Sequence, residues 1–175
     1  MQKASKRFLF AILALLIATT CGAQSAHEAT KKPRPAKSIV YTNKQYGFKF
    51  TLPKSWKGYR IIVSGWCATV WEPTSSEEPA LRSTRIERGP KIAIRNPHWS
   101  EANPYQDIPI MVFTLSQWDL IEKGELVVST APFGPGELGR NSRYVFALPP
   151  RYNVAEAIGI PEVQDIMSND PLHAF

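Results

Sequence analysis

Residues 46–52 place Tyr46, Phe48, Phe50 and Leu52 at every second position, with Gly47, Lys49 and Thr51 between them. A period of two sends alternate side chains to opposite faces of an extended chain, so this segment makes a strand with one buried face. Pro53 ends it, and the run Pro53-Lys54-Ser55-Trp56-Lys57-Gly58 reads as a turn that returns the chain through a second strand, Tyr59 to Val63. A chain built on such returns has to form antiparallel sheet. Fifteen Pro and ten Gly agree, because a helical bundle tolerates far less punctuation.

The remaining pattern is read in the same way. Ser38 to Thr42 is a short β-rich run that opens the domain. Residues 73–89, with Glu77, Glu78, Arg82, Arg85, Glu87 and Arg88, read as a polar surface excursion. Ile92 and Ile94 alternate with Lys91, Ala93 and Arg95, which marks a further strand. Ile108 to Phe113 is apolar on both alternating faces and is expected to be a central strand covered on two sides, with Pro109 confined to its start or edge. Thr114 and Gln117 have capping-box spacing, so a helix follows with Leu115, Trp118 and Ile121 on one face and Gly124 at its end. Glu125 to Ala131 and Arg143 to Leu148 are two more strands joined by a Gly/Pro loop. Pro161 opens a last helix, with Val163, Ile166 and Met167 as its buried stripe and Asp170-Pro171 as its stop. Strands that return on themselves, with few and late helices, predict an α+β domain: an antiparallel β-sheet flanked by a few α-helices.

The N-terminus carries an address. Lys3, Lys6 and Arg7 precede the uninterrupted apolar run Phe8 to Ala18, which is the length of a signal h-region and too short for a bilayer span of about 20 residues. Small residues follow, and cleavage after Ala23 or after Ala26 fits them. Ala18-Thr19-Thr20-Cys21 also resembles a bacterial lipobox, in which Cys21 would become the lipid-modified first residue; an ordinary cleavage site is the alternative. The division is therefore a signal peptide over 1–23, a basic Pro-containing linker over 24–37, and a domain over 38–175. Neither cleavage route leaves Cys67 a disulfide partner, and it is expected to be a buried small hydrophobe.

Charge sets limits on partners. Removing Lys3, Lys6 and Arg7 with the signal lowers the net charge from +6 to +3, and Lys31, Lys32, Arg34 and Lys37 sit in the linker. The domain itself is close to neutral and lacks the basic stripe of a nucleic-acid footprint, so no nucleic-acid partner is expected.

The segment Tyr41-Thr42-Asn43-x-x-Tyr46-Gly47-Phe48-x-Phe50-x-Leu52-Pro53-x-Ser55-Trp56-Lys57-Gly58-Tyr59 resembles the opening of a group of small exported bacterial proteins and, more loosely, of domains with the PsbP-like (Mog1/PsbP) fold. The resemblance continues through Ile92 to Arg95, Gln106 to Phe113 and Leu138 to Pro149. It implies an antiparallel sheet flanked by helices but hands over no activity: the photosynthetic proteins of that fold act as extrinsic assembly and stabilising subunits, and a shared fold alone does not carry function.

Residues that could carry chemistry are few. Gly134-Pro135-Gly136-Glu137-Leu138-Gly139 matches G-x-G-x-x-G, but it leads into a strand instead of a helix, so it reads as a tight turn and not a dinucleotide site. The loop between the strands at Ile94 and Ile108 offers His98, Trp99, Tyr105 and Asp107. An imidazole and a carboxylate are the equipment of an acid/base pair, so His98 and Asp107 are the catalytic candidates for a small envelope hydrolase. Trp99 and Tyr105 are the candidates for binding a carbohydrate or peptide. The plainer alternative is a loop whose Trp99 covers the sheet while His98 is solvated. His27, His98 and His173 are scattered and no C-x-x-C occurs, so neither a metal nor another cofactor is expected. The sequence is thus read as an exported, non-catalytic binding or accessory domain of the bacterial cell envelope. It is expected to be a monomer that meets an envelope protein or wall polymer and touches the membrane only through a lipid on Cys21.

Overall fold

In the computed structural model, residues 38–73, 81–152 and 157–175 are described. The signal segment, Cys21, both cleavage sites and the 24–37 linker lie outside them. β1 (Ile39–Asn43) and β2 (Phe48–Leu52) pair antiparallel, and the side chains alternate as expected: Phe48, Phe50 and Leu52 are fully buried while Lys49 is exposed. Between them the Asn43 carboxamide oxygen accepts from the Tyr46 N–H at 3.0 Å, and Gly47 takes a φ of 80° that a side chain would resist. A short 3-10 turn, Lys54–Trp56, tucks Trp56 into the core.

β3 (Arg60–Pro73) and β4 (Leu81–Arg95) then form a hairpin much longer than the sequence implied, paired from Arg60 and Arg95 out to Pro73 and Leu81. The polar stretch expected as a surface excursion is strand from Leu81 onward. Arg85, Ile86 and Arg88 of that stretch are exposed, so its side-chain pattern imitates a loop. Trp66 fixes the middle of this hairpin: its indole N–H donates to the Val112 carbonyl at 3.0 Å, and its ring occupies the place a side chain on Gly89 would need. Only glycine fits there.

β5 (Ile108–Thr114) is central, as its two-sided apolar pattern requires. The capping box at its end is present in both directions, with Gln117 N donating to Thr114 Oγ1 at 3.2 Å and Thr114 N to Gln117 Oε1 at 3.0 Å. It starts α1 (Leu115–Glu122), which buries Trp118 but leaves Leu115 39% exposed, so the packed face is narrower than expected. β6 (Leu126–Val127) is two residues long in place of the strand expected over 125–131. The Gly-rich run expected as a tight turn is instead an edge strand, β7 (Gly136–Arg140), whose register slips between Glu137 and Gly139 where it pairs with β8 (Tyr144–Leu148). α2 (Ile160–Met167) buries Val163 and Ile166, and the chain closes with β9 (Leu172–Ala174), which adds to β2.

The fold is α+β and dominated by antiparallel pairing, but it contains two sheets where one was expected: β6-β3-β4-β5-β8-β7 and the smaller β1-β2-β9. One core lies between them, where Phe48, Phe50, Leu52 and Trp56 meet Ile92, Ile94, Ile110 and Phe146, with Val163 and Ile166 of α2. The second lies on the other face of the large sheet, where Trp66, Val70, Met111, Phe113 and Val145 meet Trp118 of α1. Asn141 ties the ends together: its carboxamide N–H group donates to the carbonyls of Tyr46, Gly47 and Phe175, at 2.9, 3.1 and 3.2 Å.

Candidate functional site

The loop of residues 96–107 joins two strands whose register, Ile94 opposite Ile108, brings the flanking residues Arg95 and Asp107 together. Arg95 Nε lies 3.1 Å from Asp107 Oδ2, and the backbone N–H of Asn96 donates to Asp107 Oδ1 at 3.0 Å. Both carboxylate oxygens are thus engaged in closing the base of the loop. The Arg95 guanidinium also lies over the Trp99 ring, 4.0 Å from its centroid. One face of that indole is therefore occupied by a cation.

His98 takes a different position. Its side chain is exposed, its ring sits 5.6 Å from that of Tyr105, and its backbone N–H donates to Asn96 Oδ1 at 2.9 Å. Among the described residues no hydrogen bond joins His98 to Asp107. The four candidates thus fall into two sets, Asp107 with Trp99 through Arg95, and His98 with Tyr105. Arg95 itself was missed, although a basic residue ending one strand and an acidic residue opening the next is the signal that would have found it. Gln106 is buried and pins the loop inward, donating to the carbonyls of Asp107 and Tyr152 at 2.7 and 2.9 Å. This arrangement holds a loop in one shape; a hydrogen-bonded acid/base pair is not part of it.

The apolar surface lies elsewhere, on the outer half of the β3–β4 hairpin. Even-numbered residues of β3, namely Trp66, Ala68 and Val70, enter the second core. Odd-numbered residues share the face that the small sheet covers at Ile61 and Ile92, but strands of three to five residues cannot reach further along a fourteen-residue partner. On this face Val63, although opposite the buried Ile92, is 69% exposed, and further out Ile86 is 61% exposed. Cys67 is exposed on this face as well, which corrects the expectation of a buried thiol. Its parity is apolar-facing, yet nothing among the described residues lies over it.

Where the chain leaves β6 it diverges from β3, and a groove of about 310 Å³ opens between Cys67, Trp71, Ile86, Val127, Val128 and Thr130. A second hollow of about 270 Å³ lies on the other side of the same segment, against Ile121, Leu126, Pro132 and the exposed Phe133. Residues 127–129 form the shared wall. Charged pairs flank this region without entering it. The Arg140 guanidinium bonds the Glu137 carboxylate and holds it below the usual carboxylate range, while the Gln117 amide, then Arg85, do the same for Glu87. Among the described residues no group of three or more His, Cys, Asp or Glu is placed to hold a metal ion.

No protein family, curated protein or solved structure matches the chain.

Proposed function

We propose that this chain is an exported, non-catalytic binding or accessory domain of the bacterial cell envelope, and that it docks an envelope protein through the outer half of the β3–β4 hairpin. The carrying observation is the apolar groove beside β6, where Ile86, Val127 and Cys67 are exposed. Exposed apolar surface of this kind is costly to keep unless something covers it. A protein is favoured over a wall polymer because one face of Trp99, a candidate for sugar stacking, is taken by Arg95. The signal-like N-terminus supports the same reading. Against the hydrolase alternative stands the engagement of both Asp107 oxygens by Arg95 and Asn96.

The test is site-specific photo-cross-linking in the native host, with the reactive residue at Ile86 and a control at Lys49 on the opposite sheet. The reading requires one adduct from Ile86, absent from Lys49, lost when Val127→Asp is added and retained with His98→Ala. An adduct that survives Val127→Asp, or a phenotype that follows His98 and Asp107, overturns it.

A further inference from the structure

A hollow of about 380 Å³ opens between Leu52 and Pro53 at the end of β2 and Asp165, Ile166, Asn169 and Pro171 at the end of α2. Leu52 and Ile166 are buried core residues, so packing fixes its apolar wall. Its charge is one-sided. Asp165 is exposed on α2 and Asp170 is exposed just past its end, while the last turn of α2 holds no basic residue. Among the described residues neither carboxylate has an ion-pair partner. The carbonyls at a helix C-terminus carry partial negative charge, so two carboxylates there set like against like, and a cation is what the place lacks. Lys54 follows Pro53 but does not line the hollow.

We propose that this hollow is a docking site for the chain's own linker residues Arg34-Pro35-Ala36-Lys37. Pro35 and Ala36 meet the apolar wall, and the two cations answer Asp165 and Asp170. The place of the segment in the chain argues for it. The β1–β2 register sets Ile39 opposite Leu52, so Ser38 comes across from Pro53, and Ser38 itself lines the hollow. Arg34 to Lys37 are the four residues immediately before it. Extended, they reach up to about 14 Å, so the segment meets the hollow with no loop to close. A tethered segment is present at an effective concentration in roughly the millimolar range, so weak contacts are enough to hold it. The ligand chemistry is thus a cationic, proline-containing peptide, and the docked linker leaves residues 24–33 as the free spacer. The site is separate from the β3–β4 groove and stands whether or not that groove takes an envelope protein.

Disulfide trapping in the full chain carrying Cys21→Ser and Cys67→Ser makes the test. Added Ala36→Cys and Asn169→Cys should form an intramolecular disulfide under mild oxidation, and do so far faster than Ala36→Cys with Lys49→Cys on the exposed side of β2. Asp165→Lys should slow that cross-link roughly fivefold, the scale of turning an exposed ion pair into a repulsion. Arg34→Glu with Lys37→Glu should then restore the rate, with the circular dichroism unchanged throughout. A cross-link no faster than the Lys49 control, one indifferent to Asp165→Lys, one that the charge swap fails to restore, or one that joins two chains overturns the proposal.

Discussion

Replacing Asn141 with Ala should unfold the domain more easily than any comparable change on a half-exposed side chain. Its carboxamide nitrogen serves three carbonyls, and its oxygen accepts from the N–H groups of Arg143 and Tyr144 at 3.0 and 2.9 Å. Those partners belong to the β1–β2 turn, to the start of β8 and to the chain end, so one side chain joins three segments distant in sequence. A net hydrogen bond contributes about 1 kcal/mol, and a polar group left unpaired in a part-buried place costs more. Discounting for shared and solvent-reachable bonds, Asn141→Ala should cost about 3 kcal/mol, a drop of roughly 10 °C in melting temperature for a domain of this size. Asn141→Asp separates the donor from the acceptor role. It keeps the two accepted bonds but sets a carboxylate against three carbonyl oxygens, so its cost at neutral pH should equal or exceed that of Ala. The carbonyls disfavour the charged form and raise the folded-state pKa of the new acid above its unfolded value, so the folded state binds the proton more readily. Part of the lost stability therefore returns as pH falls through that folded pKa. Urea melts of both variants across pH make the measurement. A loss below about 1 kcal/mol for Ala, or an Asp variant as stable as the parent at neutral pH, would refute the idea that this carboxamide is a three-way clasp.

Three further outcomes follow from the same geometry. Gly89→Ala should cost about 2–3 kcal/mol, because its methyl group collides with an indole that the Val112 carbonyl holds in place; Gly136→Ala, with nothing near its added carbon, is the control, and denaturant melts compare them. Asp107→Ala should cost about 1–2 kcal/mol by freeing Arg95 and the Asn96 N–H, with an altered Trp99 emission, while His98→Ala should change neither. The Glu137 carboxyl should titrate below the usual range by NMR because Arg140 donates to it. Its folded pKa lies below the unfolded one, so the pair's contribution is present above the ordinary value of 4.5 and is lost as pH falls through the folded pKa; Arg140→Met should return the titration to the ordinary range.

The features legible in the sequence are those whose partners sit within a few residues of one another. The alternation at Phe48, Phe50 and Leu52 reports one-sided burial, and it holds in β2 because β1 and β9 flank it within its own sheet. Thr114 and Gln117 cap α1 from three positions apart, a contact that needs no tertiary structure. The two-sided apolar run at Ile108 to Phe113 announced a covered central strand because both of its faces enter a core.

What only the tertiary structure decided depends on where coverage ends. β7 and β9 are held by backbone pairing at edges, which leaves little side-chain pattern, so the Gly-rich run passed for a turn and the C-terminal strand went unseen. Cys67 has the parity of a core residue, and only the short reach of the small sheet leaves it exposed. Asp107 found Arg95 instead of His98 because strand register, not distance along the loop, sets which side chains meet. Periodicity states which face of a strand is apolar; what lies over that face is determined by the lengths and order of strands far away in the chain.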